Sequence, residues 1–394
     1  MPQTSLKRPN KVMQKNDDFE FDKIIERHNT NSLKWEKYAL QDIIPLWVAD
    51  TDFKVAPVIQ AAIEARKDHA IYGYTRANQQ SNQMVADYYQ IKYGCHVKAE
   101  WVVWIPGVVA SLSLAIRSLS KHHDQVLTPD IAYPYFHSTP LASGKQDNHL
   151  AMSYDQGRLR VDLEALENHD AQAARVMLFC NPQNPGGAVY TQSELKRIDS
   201  YCETNQLVLV SDEIHADIIL DEDKFHVPYL SVSDHALQNS ITLGAASKAF
   251  NIAGLACSWA VIANPSIRQA FVNEMHGIVS EINPFGYTAT LAALAHGEPW
   301  LTAMNIYLRA NRDYLIAEFS LLPDINMLPL ESTFLAWLDV SKLQLEDPCK
   351  FFEKAGVGLS PGRDFNDANY LRLNFGCPRS VLESAMARIK TALG

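Results

Sequence analysis

Residues 101–119 read WVVWIPGVVASLSLAIRSL, and this stretch decides the fold class. Its first five residues form a continuous apolar run, which is typical of a strand buried on both faces. Pro106-Gly107 then breaks the run, and the apolar residues of 108–119 recur at helical spacing. The stretch therefore predicts a strand, a tight turn and a helix that begins directly after the strand. The free N–H groups and the dipole of such a helix N-terminus suit a phosphate.

The alternation of short apolar strands and helices continues downstream. Residues 191–203 predict a helix that begins with the capping-type run Thr191-Gln192-Ser193-Glu194. Further strands are predicted at residues 125–128, 176–180, 207–210 and 240–243. Apolar strands separated by helices indicate parallel pairing with right-handed crossovers. We therefore predict a large α/β domain with a mostly parallel sheet flanked by helices.

The C-terminal third has a different pattern. Strands are predicted at residues 334–338 and 370–375, with a helix at 350–355 between them. The last strand alternates, so that its polar residues share one face: Tyr370, Arg372 and Asn374. This pattern predicts a half-buried sheet in a second, smaller α+β domain. The break at Asn283-Pro284-Phe285-Gly286 places the domain boundary near residues 284–299.

Composition and charge exclude several classes of function. The 394 residues include 35 Lys and Arg against 45 Asp and Glu, a net charge of -10. A nucleic-acid-binding surface needs a basic excess, so we expect no nucleic-acid partner. No apolar run approaches the roughly 18 residues of a membrane helix, and no signal-peptide core is present, so we expect no membrane association. The six cysteines contain no C-x-x-C pair, which favours small core hydrophobes in a reducing cytoplasm and a site without metal.

Ligands of open parallel sheets bind beyond the carboxyl ends of the strands. The residues that follow the predicted strands there are Gly107, Tyr133, Asn184, Asp212 and Lys248. They offer a phosphate-binding helix N-terminus, a flat aromatic ring, an amide, a carboxylate and an amine, which together suit pyridoxal 5′-phosphate. The lysine can form a Schiff base with the aldehyde, and the carboxylate can keep the pyridine nitrogen protonated. Each residue taken singly also has an ordinary structural explanation.

Three spaced motifs carry a resemblance to a known family: Asn181-Pro182-Gln183-Asn184-Pro185, Ser211-Asp212-Glu213-Ile214-His215 and the run SKAFNIAGL at residues 247–255. From Arg27 to the C-terminus, the chain resembles the fold type I pyridoxal-phosphate enzymes of the aminotransferase class I/II superfamily. Within that group it most resembles the MalY/PatB type of carbon–sulfur β-lyase, the cystathionine β-lyases.

The subfamily resemblance rests on three features. The first is the pair of segments TNSLKW at residues 30–35 and PLWVAD at 45–50. The second is Tyr72-Gly73-Tyr74-Thr75, and the third is His215, where most aminotransferases of the group carry Tyr. His215 is interpreted equally well as a residue near the ring hydroxyl or as a satisfied core histidine.

The resemblance implies roles for most of these residues around the cofactor ring. Lys248 would be the Schiff-base lysine and would remove the substrate α-proton. Asp212 would pair with the pyridine nitrogen, Tyr133 would stack on the ring, and Asn184 and His215 would lie near the ring hydroxyl.

The resemblance also implies how phosphate and substrate are held. Gly107, Val108, Val109 and Ser247 would bind the phosphate, and Tyr74 would reach the phosphate of a neighbouring subunit, which predicts a homodimer with shared active sites. The substrate would be bound by three residues: Ala49, Asn184 and Arg372. Arg372 would clamp the α-carboxylate of a small sulfur-containing amino acid.

Some positions depart from the family pattern. Ala245 and Ala256 stand where many relatives carry a phosphate-binding Ser and Arg, so either the phosphate has fewer side-chain donors or another residue supplies them. Asn29 and Asn366 stand where the β-lyases often have Gly. The chain is divided as follows: a polar, frayed N-terminal segment at 1–26, part of the small domain at 27–55, the large cofactor-binding domain at 56–290 and the small C-terminal domain at 291–394.

The sequence thus predicts a β-lyase that eliminates a thiol from cystathionine- or cysteine-type amino acids and leaves pyruvate and ammonia. An aminotransferase would use the same residues and is the first alternative. A non-catalytic regulator with this fold is the second, although such proteins usually carry an added DNA-binding domain.

Overall fold

The computed structural model describes residues 19–121, 124–171 and 173–394. Residues 1–18 of the predicted N-terminal segment lie outside the described residues. Within that segment, the ring of Phe21 is buried and lies 5.1 Å from the ring of Phe53 and 5.6 Å from that of Trp300, measured between centroids. The end of this polar segment is therefore packed on the core.

The helices are α1 Leu33–Glu36, α2 Pro57–Asp68, α3 Gln79–Tyr93, α4 Val108–Leu119, α5 Tyr135–Ala142, α6 Leu163–Glu167, α7 Gln192–Thr204, α8 Asp234–Gln238, α9 Pro265–Met275, α10 Pro284–His296, α11 Glu298–Ser320, α12 Pro348–Lys354 and α13 Arg379–Leu393. The strands are β1 Ile44–Pro45, β2 Val102–Ile105, β3 Gln125–Pro129, β4 Gln146–Leu150, β5 Met152–Asp155, β6 Arg158–Val161, β7 Ala174–Cys180, β8 Val208–Asp212, β9 Ser240–Gly244, β10 Ser258–Val261, β11 Asn326–Met327, β12 Leu335–Asp339, β13 Val357–Gly358, β14 Ser360–Pro361 and β15 Tyr370–Asn374.

A seven-stranded sheet lies at the centre of the fold, in the order β2-β10-β9-β8-β7-β3-β4. The pairs from β9 to β4 are all parallel, whereas β10 is antiparallel to both of its neighbours. Helices flank this sheet, so the predicted α/β fold with a mostly parallel sheet is confirmed. The sequence reading missed β4, whose polar residues QDNHL do not match the pattern of a buried strand, and it also missed β10.

The stretch that opens with Trp101 folds as predicted. Strand β2 ends at Ile105, and Gly107 adopts φ 109° and ψ 148° as the residue that precedes α4. An L side chain rarely adopts this φ, so glycine permits the sharp turn from strand to helix. The predicted capping box is also present at α7, where Thr191 and Glu194 satisfy each other's backbone N–H groups.

A second sheet, β11-β12-β15-β14, is antiparallel throughout. The polar face of β15 is more buried than the alternating pattern predicted, because Arg372 and Asn374 are buried and Tyr370 is partly buried. Asn374 is fully buried there and donates from Nδ2 to the carbonyl oxygens of Val48 and Asp50. Residues 47–50 cover this face, and their backbone carbonyls accept hydrogen bonds from the polar side chains.

Strand β1, which precedes residues 47–50, also joins the C-terminal third, because it pairs in parallel with β13. The break expected near residues 284–299 is a helix start: Pro284 opens α10, and the Asn283 side chain accepts from the N–H of Gly286. The limits of the two domains stay a prediction.

The six cysteines are all free and buried. Among residues 19–121, 124–171 and 173–394, no helix combines the length and the apolar character needed to cross a membrane.

Candidate active site

A cavity of about 420 Å³ lies at the carboxyl ends of the parallel strands. Most of the predicted site residues line it: Ala49, Gly107, Val108, Val109, Tyr133, Asn184, Asp212, His215, Ser247, Lys248 and Arg372. Tyr74 does not line it and is fully exposed on this chain. Residues distant in sequence meet here because parallel strands end at one edge of the sheet.

One end of the cavity is formed by the N-terminus of α4. Its first N–H groups, including those of Val108 and Val109, have no acceptor within the helix. A Cβ added to Gly107 would meet no atom within 4 Å, so the space in front of these groups is open. The helix N-terminus can therefore receive an anion such as a phosphate.

The two alanines that depart from the family pattern, Ala245 and Ala256, also line the cavity. Ser258 lies beside them, but its hydroxyl already donates to the carbonyl oxygen of Ile105 and accepts from the N–H of Gly107. Within the described residues, no hydrogen bond occupies the hydroxyl of Ser247, which leaves this group available to a ligand.

Lys248 carries the amine of the cavity. Its Nζ donates to the carbonyl oxygen of Ala49 at 2.6 Å. The pKa of Lys248 is lowered to about 8, mainly by burial and also by the charge of Arg372, while Asp50 and Asp212 act in the opposite direction. A neutral amine, which can act as a nucleophile or a base, is therefore accessible near physiological pH.

Asp212 supplies the carboxylate at the end of β8. It accepts a hydrogen bond from the N–H of Ile214 at 3.1 Å, and its pKa is raised to about 6, mainly by burial. A buried carboxylate without an ion-pair partner costs free energy, so the site favours a ligand that brings a proton or a positive charge.

His215 lies on the wall of the same cavity and is buried. Its pKa is lowered to about 3, mainly by burial and also by the charges of Lys248 and Arg372, so the imidazole is neutral at physiological pH. Its Nδ1 is a buried atom without a hydrogen-bond partner among the described residues. A buried polar atom in this state favours a ligand that offers it a hydrogen bond.

Arg372 is a buried cation on β15. Its Nη2 donates to the carbonyl oxygen of Trp47 at 3.0 Å and to Oγ of Ser360 at 3.3 Å, and its Nη1 donates to Oδ1 of Asn184 at 3.2 Å. The guanidinium carbon lies 4.6 Å from the centroid of the Phe365 ring. Burial lowers the pKa of Arg372 to about 10.

None of the four groups around Arg372 is a carboxylate, and Nε has no hydrogen-bond partner in the described part of the chain. The guanidinium therefore retains the capacity to bind a ligand carboxylate. Asn184 offers Oδ1 to Arg372, which directs its amide NH₂ away from the guanidinium and leaves it as a donor.

An aromatic wall completes the cavity. The rings of Tyr133 and Tyr135 lie 5.3 Å apart between centroids, and burial raises the pKa of Tyr133 to about 12. Tyr135, Leu33 and Trp47 line the cavity although the sequence did not single them out. The motif that contains Trp47 was recognised, but nothing in it revealed that the main-chain carbonyl of Trp47 accepts from Arg372.

These residues fit pyridoxal 5′-phosphate. The open N-terminus of α4 can receive its phosphate, and the amine of Lys248 can react with its aldehyde. The carboxylate of Asp212 can pair with its ring nitrogen. The unpartnered Nδ1 of His215 and the free amide NH₂ of Asn184 match its ring hydroxyl. The individual roles of these residues stay predictions.

Comparisons with known proteins agree with this fit. A model of the family described as aminotransferase class I and II matches residues 41–389. Cystathionine β-lyase PatB of Bacillus subtilis (strain 168) is 34% identical over 386 residues, which cover 95% of this chain and 99% of PatB.

Two solved structures are similar over nearly the whole chain. OvoB is 41% identical with a TM-score of 0.92, and the match covers 95% of this chain and 99% of OvoB. The pyridoxal-phosphate-bound C–S lyase from Staphylococcus hominis is 31% identical with a TM-score of 0.88, and the match covers 95% of this chain and 98% of that structure.

Proposed function

The chain belongs to the aminotransferase class I and II family, and we propose from this premise that it is a pyridoxal-phosphate-dependent carbon–sulfur β-lyase acting on cystathionine- and cysteine-type amino acids. The single observation that supports this most is the convergence of Lys248, Asp212 and Arg372 on one cavity. Similarity to cystathionine β-lyase and C–S lyase proteins along nearly the whole chain supports the lyase over other reactions of the family.

Each of these side chains has a task in α,β-elimination. Arg372 binds the substrate α-carboxylate through its guanidinium, which fixes the Cα–H bond relative to Lys248. Nζ of Lys248 then removes the α-proton, and the lowered pKa of the amine makes this transfer effective near neutral pH. Pyridoxal phosphate, when bound, supplies the aldehyde that takes up the substrate amine and the electron sink that receives the Cα–H electron pair.

The remaining residues stabilise the negative charge that develops during the reaction, after which the products leave. With the cofactor bound, Asp212 would hold a proton at the ring nitrogen, and the amide of Asn184 would donate to the ring hydroxyl. The Cβ–S bond breaks with its electron pair on sulfur, so the leaving group departs as a thiolate. The released enamine is hydrolysed by water to pyruvate and ammonia.

An assay of the holoenzyme with L-cystathionine tests the proposal. Thiol and pyruvate should form in equal amounts, without need of a 2-oxoacid. The Lys248→Ala protein should lose this activity by a factor of about 10³ or more, because it lacks the base. Amino transfer to a 2-oxoacid without thiol release would contradict the lyase and favour the aminotransferase.

We further propose that the active unit is a homodimer in which Tyr74 serves the cofactor phosphate of the other protomer. Tyr74 is fully exposed, because no described residue of its own chain covers it, and its neighbours Ile71 and Tyr72 are also exposed. An exposed group of large apolar side chains favours a protein interface. Because the side chains of Ala245 and Ala256 offer no hydrogen-bond donor, a tyrosine hydroxyl from a second protomer would add a donor to the phosphate site. The cytoplasmic location stays a prediction from the sequence.

A further inference from the structure

A second group of convergent side chains lies outside the cavity. His137 comes from α5, and Asp147 and His149 come from one face of the edge strand β4. Their potential ligand atoms all lie within 4.8 Å of one another. The sequence did not reveal this group, because its members are separated by a helix and a turn and show no metal-binding motif.

The three side chains meet at one carboxylate oxygen. Oδ2 of Asp147 lies 2.8 Å from Nδ1 of His137 and 2.9 Å from Nε2 of His149. Asp147 and His137 are mostly buried, whereas the side chain of His149 is 41% exposed. A small ion can therefore reach the group from the solvent beside His149.

Each of the three side chains also has a hydrogen-bond partner on the side that faces away from the other two. Nε2 of His137 lies 3.1 Å from the carbonyl oxygen of Asp130, and Nδ1 of His149 lies 2.8 Å from Oδ1 of Asp130. The hydroxyl of Thr128 donates to the other oxygen of Asp147. Metal-binding histidines and carboxylates are typically oriented by outer partners of this kind.

Each of the four ring nitrogens of His137 and His149 faces an acceptor oxygen, from Asp130 on the outer side and from Asp147 on the inner side. A neutral imidazole carries one hydrogen, so a ring that donates to Asp130 has none left for Asp147. The inner nitrogens of such rings present lone pairs towards Oδ2 of Asp147. Three Lewis-basic atoms that face one another require either protons or a cation between them.

We propose that His137, Asp147 and His149 form a binding site for a divalent transition-metal ion of the zinc class. Two imidazole nitrogens and one carboxylate oxygen are a ligand set that Zn²⁺ favours, with the fourth position open to water. Mg²⁺ and Ca²⁺ prefer oxygen ligands and suit this set less well. A tetrahedral ion needs ligand atoms about 3.3 Å apart, so the present N···O distances would open by about half an ångström.

The site lies next to the proposed active site along the chain. His137 is in the same first turn of α5 as Tyr135, which lines the cavity. Asn366, one of the departures from the family pattern, donates to the carbonyl oxygen of Asp130 and lies 3.3 Å from Nε2 of His137. A bound ion would thus fix the segment from Asp130 to Tyr135, which carries the aromatic wall.

The test is a titration of tag-free holoenzyme that has been freed of metal by dialysis against a chelator. ZnCl₂ is titrated by calorimetry, and CoCl₂ is followed by its visible absorption, which reports four-coordinate geometry. The variants are Asp147→Asn and His149→Gln, and the matched control is His276→Ala, an exposed histidine outside the group. Circular dichroism verifies that each variant is folded.

We expect one Zn²⁺ per chain, with affinity lowered by a factor of about ten or more in both variants and unchanged in the control. The cofactor-free protein should give the same stoichiometry, because all ligands belong to the chain. Absence of a stoichiometric site, or equal affinity in the wild type and either folded variant, would overturn the proposal and leave a group bridged by protons. Neither result depends on the lyase activity.

Discussion

The side-chain amine of Lys248 lies 2.6 Å from the main-chain carbonyl oxygen of Ala49, although the two residues are 199 positions apart in the sequence. This contact places the segment of residues 47–52 over the cavity and directs the amine into it. The segment also supplies the carbonyl oxygen of Trp47 to Arg372. The amine and the guanidinium of the site are thus both oriented by main-chain atoms of residues 47–49.

The pKa of Lys248 predicts how the cofactor-free protein takes up pyridoxal phosphate. Because burial lowers this pKa to about 8, the uptake rate should rise with pH and level off above that value, as the amine becomes neutral. Stopped-flow absorbance at a series of pH values measures the rate. Binding of the cofactor to Lys248→Ala corrects for titration of the cofactor itself. A midpoint near that of an ordinary lysine would contradict the prediction.

Asp212 should make the stability of the cofactor-free protein depend on pH. Its pKa is raised from 3.8 to about 6, so the folded chain binds this proton more tightly than the unfolded chain. The resulting stabilisation is present below about pH 4 and is lost as the pH rises through about 6.

Relative to the wild type, Asp212→Asn should therefore gain stability between about pH 4.5 and about pH 7.5, by about 1–3 kcal/mol. Urea denaturation of both cofactor-free proteins at the two pH values measures the difference. The contribution of His215 is common to both proteins and cancels. Asp87→Asn, which alters an exposed carboxylate, is the control. An equal or opposite change in the Asp212 variant would show that this carboxylate is already satisfied.

Arg372→Lys should weaken substrate binding more than it slows the chemical step. A lysine retains the charge but cannot contact the substrate carboxylate through two parallel N–H groups. We expect kcat/KM to fall by a factor of about 10–100, with most of the change in KM. Steady-state kinetics with L-cystathionine measure this, with Arg117→Lys as the surface control. An unchanged KM would remove Arg372 from the carboxylate site.

Lys34 should stabilise the segment that covers the cavity. Its side chain is fully buried, and Nζ lies 2.7 Å from Oδ2 of Asp52. Lys34→Met removes this partner but leaves Arg27 at 2.6 Å from Oδ1 of Asp52, so it should cost about 2–3 kcal/mol of unfolding free energy. The exposed pair of Lys23 and Glu20 is the control, where Lys23→Met should cost at most about 1 kcal/mol. Equal urea midpoints for the two variants would contradict the prediction.

The proposed role of Tyr74 predicts that two variants, each impaired alone, recover activity when they form a mixed dimer. If Tyr74 serves the other protomer, Tyr74→Ala and Lys248→Ala dimers should both be impaired. A mixed dimer would contain one site with both native residues, so a reassembled equal mixture should recover about a quarter of the wild-type activity. Activity of the mixture after denaturation and refolding measures this. If the mixture is no more active than its components, each active site is built from one chain.

The sequence alone determined the parts of this protein that local patterns encode. The apolar runs and helical spacing of residues 101–119 predicted β2 and α4, and the positions after each strand predicted Gly107, Asp212 and Lys248 in one cavity. These inferences succeeded because the edge of a parallel sheet brings strand ends together whatever the loops contain.

The tertiary structure alone decided the contacts between distant segments. Three features leave no periodic signal in the sequence. They are the burial of Arg372 and Asn374 on β15, the carbonyl oxygens of Ala49 and Trp47 at the site, and the group of His137, Asp147 and His149. Main-chain carbonyls look the same at every residue, and an edge strand of polar residues resembles a loop. Such features are determined only when the packing of the N-terminal segment and α5 fixes which atoms meet.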